Sequence, residues 1–505
     1  MNTTMRITLC NRVKAAELDR FDLCRRSRTM DKVDHQDRRG AGACRVARAA
    51  VPIAILAVLA IGCGARENFQ CTDNAGCDLS GGGMCVAAAT GRHWCAYPDP
   101  LCPSGYRYSD QDVGDNLAGS CTEEWGNDAG ADAPPDTQVN CPLSAPVQNG
   151  QPADLVLGQP DFTSDSAFRG GQSLYAPKGI FVDGSRLWIA DAGNARTLQW
   201  NSIPAVDGQS ANIALGQSDL LGREAGLSQS RISYASKVFR HGTRLLVSDS
   251  TNNRVLIWNS IPTASGQPAD LVLGQPDFNS KVSGNGPSDM YGPRGVWTDG
   301  ERVIIADRFN NRVLIWNTFP TVNGAPADLV LGAPGFGVTP SISPPTASSL
   351  RNPAGVTVVE GKLFVADDSN HRVLIWNEIP SENNAPANQV LGQTGFDTSY
   401  NNAGAPYPQV NSIGMSIPMD VAVDSCGSLY VCDSGNGRVL VYTSVPTGNA
   451  APANAVLGKP DLTTRDSATV PRSAEWMHSC DGLAIDSTSL YVSDGNRVLR
   501  FSLSR

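Results

Sequence analysis

The chain has 505 residues, with 40 Lys plus Arg against 49 Asp plus Glu and a formal net charge of −9. That balance argues against nucleic acid or an anionic lipid surface as a partner, since both are bound by excess positive charge. Its 14 cysteines, taken with the leader described next, point to an oxidising compartment.

Residues 1–62 read as an export signal. Arg38, Arg39, Arg45 and Arg48 precede an apolar run, "AAVPIAILAVLAIG", from Ala49 to Gly62. The run is shorter than the roughly 20 residues of a bilayer span, and it ends in small residues, as signals do. Met30 is a candidate start. Ala60-Ile61-Gly62-Cys63 resembles a bacterial lipobox, with Ala60 where such motifs usually carry Leu. The resemblance implies cleavage before Cys63 and its lipidation. Gly64, in place of an inner-membrane-retaining Asp, implies the outer membrane of a bacterial cell envelope. An ordinary signal peptide or an uncleaved anchor is the alternative.

Residues 63–121 hold Cys71, Cys77, Cys85, Cys95, Cys102 and Cys121 in a Gly-rich, aliphatic-poor stretch. So short a segment has little core, and disulfides would replace it. A zinc site is the rival, but no close C-x-x-C pair is present and only His93 is near. Residues 122–140, "TEEWGNDAGADAPPDTQVN", are an acidic, proline-containing linker.

From 141 to 505 the chain repeats itself. Asp191, Asp249, Asp307, Asp367, Asp433 and Asp494 are separated by 58, 58, 60, 66 and 61 residues. Each unit holds four short β-branched runs bounded by Gly, Asn, Asp or Pro. In the third these are "GVWTD", "VIIAD", "RVLIWN" and "DLVLG". Four strands in six units describe an all-β, six-bladed β-propeller; a solenoid is the rival. The ends decide between them. The repeat region enters at a fourth strand ("ADLVLGQPDF", from Ala153) and leaves at a third ("NRVLRFSLSR", from Asn496). An N-terminal strand can therefore close the ring, leaving no bare edge.

"P-R-G-V…D-G-x-x-x-x-x-A-D-x-x-N-x-R-V", from Pro293 to Val313, resembles NHL-repeat propellers. Five copies keep D-x-x-N-x-R: Asp191/Asn194/Arg196, Asp249/Asn252/Arg254, Asp307/Asn310/Arg312, Asp367/Asn370/Arg372 and Asp433/Asn436/Arg438; the sixth shortens to Asp494/Asn496/Arg497. The repeats exceed the usual 40–45 residues of a blade, so family function transfers weakly. Residues recurring in every blade build the blade. The aspartate should accept turn N–H groups and the arginine should bridge it to nearby carbonyls. Trp200, Trp258, Trp316 and Trp376, with Tyr442 and Phe501 in their places, should pack between blades.

Residues that vary at a shared surface are free for function. At the start of the first strands, lining the channel, Lys178, Lys237 and Arg294 gather in blades one to three, and Asp420 and Asp481 in blades five and six. Such a polarised mouth could hold a zwitterionic, carboxylated or carbohydrate ligand; a solvated rim is the plain alternative. Blade register also pairs Cys432 with Cys480 and Cys141 with Cys426. The reading is a lipid-anchored binding or scaffold propeller recognising an envelope protein, glycan or small ligand at the channel face. The alternative is a metal-dependent enzyme of the lyase or lactonase kind. His241, His371 and His478 form no three-histidine set by register, no cofactor is expected, and calcium is conceivable at Asp420, Asp481 and Asn352.

Overall fold

The computed structural model describes residues 147–503, apart from 167–169, 341 and 407–408, and three earlier strands, Met84–Ala87, His93–Pro98 and Tyr106–Tyr108. Those three pair as one antiparallel sheet. The export signal, Cys63, the linker, Cys141 and the pairings of the cysteine-rich module lie outside the described residues.

Residues 147–503 build six four-stranded antiparallel blades. Blades one to five span 177–215, 235–273, 293–331, 353–391 and 418–457. Blade six takes Leu483–Ile485, Ser489–Asp494 and Arg497–Ser502 from the end of the chain, and its outer strand, Leu155–Leu157, from its entry. Val156 pairs opposite Leu499, so the ring closes as the repeat phase requires. In blade three the strands are Pro293–Thr298, Val303–Asp307, Arg312–Trp316 and Leu329–Leu331. The second and third are buried along their whole length, because neighbouring blades cover both faces. Leu246 and Ile257 of blade two pack with Val303 and Ile305 of blade three in one apolar cluster.

The long connection between third and fourth strands acts as a clasp. Each third-strand tryptophan is buried, and its Nε1–H donates to a carbonyl nine residues on, as Trp316 does to Ala325 at 3.1 Å. The tip of the connection then covers the neighbouring blade's outer strand. Asn323 Oδ1 accepts the Val272 N–H at 3.0 Å, and the Gly324 N–H donates to the Val272 carbonyl at 2.9 Å. The same pairing joins Asp207 and Gly208 to Val156, Ser265 and Gly266 to Ala214, Asn383 and Asn384 to Val330, and Asn449 and Ala450 to Val390. Asn149 and Gly150 complete the set on Val456. Edge groups that would invite foreign strands are thereby paired.

The repeated aspartate does more than brace its own turn. Asp307 Oδ1 accepts the N–H of Tyr291, 16 residues upstream, at 2.7 Å; Oδ2 accepts Asn310 Nδ2 at 2.8 Å and Arg312 Nε at 2.7 Å. Arg312 Nη2 donates to the carbonyls of Gly286 and Asp289, both at 2.9 Å. The expected turn N–H is thus replaced by one from the loop entering the first strand, and the motif fastens that loop to the turn. Burial pushes the Asp307 carboxyl up to about 6 against the pull of Arg312, the desolvation cost of an internal ion pair.

Arg196, Arg254 and Arg438 likewise bridge carboxylate and carbonyls, and the carbonyls come from loops distant in sequence. Their Nε groups hold Asp191, Asp249 and Asp433 at 2.7, 3.0 and 2.7 Å, as the spacing predicts. Their remaining donors do not stay in the turn. Nη2 of Arg196 reaches the carbonyls of Gly170 and Ser173, that of Arg254 those of Ser228 and Arg231, and that of Arg438 those of Asn411 and Gly414. Those acceptors lie 23 to 27 residues upstream, in the loop that enters the blade. Nη1 turns the other way, to the carbonyls of Leu220, Phe278 and Leu462, each 24 residues downstream. All three guanidinium groups are buried, so each must spend its donors, and only loops from outside the turn offer enough carbonyls. In the shortened sixth copy, Arg497 Nη2 holds the Trp476 carbonyl at 2.9 Å and Arg472 Nη1 reaches Asp494 Oδ1 at 3.2 Å. Asn496 Oδ1 there accepts the Ala176 N–H instead.

After five of the six fourth strands a buried side chain latches the turn; blade three has Ala333 in that place. Gln159, Gln217, Gln275 and Gln393 donate through Nε2 to the carbonyls of Asn496, Ala195, Asn253 and His371. Blade five has Lys459 there, fully buried, donating to Gly437, 3.3 Å from Asp466 and 4.5 Å from the Trp476 ring. Burial lowers its ammonium to about 8 from 10.5. Between those values the unfolded chain binds more protons, so this group makes stability rise with pH there. Lys459→Gln should abolish that rise in melts from pH 7.5 to 10. It should also stabilise the chain at pH 7 by on the order of 1–2 kcal/mol, because no charge is buried. An unchanged pH profile would refute this.

Candidate functional site

A bulge opens the first strand of blades one, three, four and five. Pro293 pairs with Asp307 and Val296 with Ile305, so Arg294 and Gly295 have no partner on the second strand and face the channel. The residue after Arg294 is small for a reason seen best in blade six: a Cβ on Gly482 would lie 2.1 Å from the Lys178 carbonyl of blade one. First strands thus crowd round the axis. Blade five alone sets a carboxylate there, Asp420.

The structure brings all five channel candidates together, but as partners of one another. Lys237 Nζ lies 2.5 Å from Asp420 Oδ2, joining blade two to blade five across the channel. Asp420 Oδ2 also accepts the Leu483 N–H at 2.9 Å. Lys178 Nζ lies 2.9 Å from Asp481 Oδ1. Arg294 crosses from blade three to blade six, donating through Nη2 to the Asp481 carbonyl at 2.9 Å, with its carboxylate at a looser 3.7 Å. Two carboxylates thus face three cations. Lys237 and Lys178 neutralise them, and Arg294 is left as the uncompensated charge.

Above these pairs lies a cavity of about 570 Å³ on the side of blades two and three. Lys178, Arg294 and Asp481 line its channel end, and Ser236, Ser250 and Asn253 part of its wall. Tyr234, Tyr291, Phe309 and Arg308 also border it. The repeat arginines Arg196, Arg254, Arg312, Arg372, Arg438 and Arg497 do not line it; they are spent inside the blades. The Tyr291 and Phe309 rings sit 5.1 Å apart and are 46% and 48% exposed. The Arg308 guanidinium lies over Phe309 at 5.3 Å and pairs with Asp368 of blade four, while its Nε is buried without a partner. The tyrosines escape the channel alignment by two residues. "YAPKG", "YASKV" and "YGPRG" carry Tyr175, Tyr234 and Tyr291 just before the aligned starts, where blades four to six have Arg351, Ser416 and His478. Arg308 and Phe309 fill the variable places of D-x-x-N, where other blades have small or polar residues.

The calcium set does not fit as it stands. Asp420 and Asp481 each face an ammonium group, and Asn352 Nδ2 donates to Ser369 Oγ at 3.0 Å. Among the described residues no three His, Cys, Asp or Glu side chains converge as metal ligands. His371 Nδ1 accepts the Ile417 N–H and His478 Nδ1 meets Asp466, in separate places. Cys432 and Cys480 are bonded to each other, and Cys426 is also in a disulfide; Cys141 lies outside the described residues.

Residues 350–376 and 415–442, the loop, turn and strands just described in blades four and five, match the model of the NHL repeat. The chain carries NHL repeats. Similar solved structures include a virginiamycin B lyase from Staphylococcus aureus, at 11% identity and a TM-score of 0.34, covering 66% of this chain and 98% of that one. A streptogramin B lyase aligns at 9% identity and 0.36, over 67% of this chain and 96% of its own. A nidogen/laminin complex aligns at 14% and 0.30, over 56% and 84%. No curated protein matches the chain. What the blades share explains the scaffold; what differs between them makes the cavity.

Proposed function

We propose that this is an exported, lipid-anchored binding propeller of the bacterial envelope, held to the outer membrane through Cys63, whose channel mouth takes a small anionic ligand. The observation that carries the reading is Arg294, a cation left uncompensated at the floor of a 570 Å³ cavity. That volume falls within the roughly 300–1,000 Å³ of small-molecule sites. Arginine presents a planar fork that a carboxylate matches in two bonds. Export is supported by the leader and by the buried Cys432–Cys480 disulfide. The chain enters the propeller where Asn149 clasps Val456 and Gln151 Nε2 bonds the Ser502 carbonyl.

The protein to titrate is the full chain with Cys63→Ala, which the anchor reading expects in the soluble rather than the membrane fraction. Acetate, citrate and benzoate at constant ionic strength should raise its melting temperature, since a ligand that binds only the folded state stabilises it. Arg294→Gln should remove that response. An equal response from the variant, or none from the parent, would reject the reading.

A further inference from the structure

We infer that the ligand of the channel mouth is a sugar acid, a pyranose ring bearing one carboxylate; this rests on the anion-binding reading above. Three features of the cavity converge on it. The first is charge. Arg294 spends Nη2 on the Asp481 carbonyl, and its Nε and Nη1 have no partner among the described residues. A carboxylate can take one edge of the guanidinium, Nη1 or Nε together with the second Nη2 hydrogen, and one edge calls for one carboxylate.

The second is the place of the aromatic surface. Tyr291 and Phe309 stand half-exposed at the cavity's rim, not in its depth, while the deeper wall is Ser236, Ser250 and Asn253. A ligand reaching Arg294 must therefore lay an apolar face on the rings and keep a polar edge toward the wall. A pyranose has both: axial C–H groups on one face and hydroxyls around the perimeter. Ser236 and Ser250 bond each other and the Pro293 carbonyl, and Asn253 bonds the Lys281 carbonyl and the Gly292 N–H. An aromatic acid would cover their remaining lone pairs and N–H, which ring hydroxyls can meet. The third is hydrogen-bonding capacity. The Thr251 hydroxyl and the phenol oxygens of Tyr234 and Tyr291 border the cavity with no partner among the described residues. Together they can donate to or accept from ring hydroxyls.

Isothermal titration of the soluble full chain with glucuronate, glucose and benzoate decides the matter. Glucuronate should bind, and glucose should bind at least about tenfold more weakly, since it leaves the arginine fork empty. Benzoate should also be about tenfold weaker, for want of hydroxyls. Phe309→Ala removes only stacking surface, and with Tyr291→Phe, which keeps the ring and drops the phenol, it separates the two contributions. Phe309→Ala should weaken glucuronate several-fold, and unchanged affinity would overturn the stacking argument and the inference with it. Benzoate binding as tightly as glucuronate would overturn the sugar while leaving the anion site standing. No binding of either acid would overturn both. Methyl glucuronoside binding as well as glucuronate would make the ligand a glycan end; selective binding of glucuronate with its anomeric hydroxyl free would make it a monosaccharide.

Discussion

Replacing Asp367 by alanine is expected to cost the propeller about 3–5 kcal/mol, the range found when one partner of a buried ion pair is removed. Asp367 is fully buried. It accepts the Arg351 N–H at 2.6 Å, Asn370 Nδ2 at 2.8 Å and Arg372 Nε at 2.7 Å. Arg372 is equally buried, and its Nη2 holds the carbonyls of Thr346 and Ser349 at 2.9 and 2.8 Å. Alanine would strand that guanidinium in the interior and release the loop that enters blade four. Asp367→Asn keeps acceptor and shape but not charge, so its loss should be smaller. Guanidinium unfolding with an unchanged slope reads the difference directly. A loss below about 1 kcal/mol for alanine would mean the motif is dispensable, and the account of the repeat would fail. The contrast with an exposed pair, worth about 0–1 kcal/mol, is what burial adds.

How much of this was legible in sequence follows from the range of each interaction. The Asp–Asn–Arg spacing is local to one turn, so its recurrence showed the blades, and the phase of the ends showed the closure at Leu155–Leu157. The upstream partner of Asp307, Tyr291, was not foreseen because a loop of variable length brings it back. The distant carbonyls held by Arg196, Arg254 and Arg438 were hidden in the same way: the spacing fixes the ion pair and says nothing of the loops folded over it. The Trp316 donor bond and the Asn323 clasp were hidden for a related reason: they act through the long connection between third and fourth strands, whose path the spacing does not fix. At the channel, sequence assigned Lys237, Arg294, Asp420 and Asp481 to blades and to one face. It did not say that in a ring of six, blade two faces five and blade three faces six. That arithmetic turns a polarised mouth into crossed ion pairs and leaves Arg294 over. Tyr291 and Phe309 were within reach, two residues before an aligned start and inside the turn motif, but they carry no charge to mark them.

Removing the Cys432–Cys480 bond is expected to lower stability by roughly 4 kcal/mol, from the loop entropy regained by the unfolded chain over the 48-residue separation. The repeats supply an unusually clean comparison. Cys432 occupies the place held by Ala190, Ser248, Ala306, Ala366 and Ser493, and Cys480 the place of Pro177, Ser236, Pro293, Pro353 and Pro418. Cys432→Ala with Cys480→Ser therefore installs residues that the same fold already accepts at those places. The measured loss then reports the cross-link and little else. Both sulfurs are fully buried, so a reductant should act on the folded chain only as fast as it opens. The bond joins blade five to blade six, beside the seam where the chain closes its ring. A non-covalent closure depends on Leu155–Leu157, Asn149 and Gly150 returning to the far end of the repeat region. The disulfide leaves that search to one short strand by fixing the last two blades to each other first. In a reducing compartment the fastening would be missing, and closure would rest on the non-covalent seam alone. Denaturation of the oxidised, reduced and double-variant proteins tests this. Equal midpoints for all three would show that the seam holds without the bond.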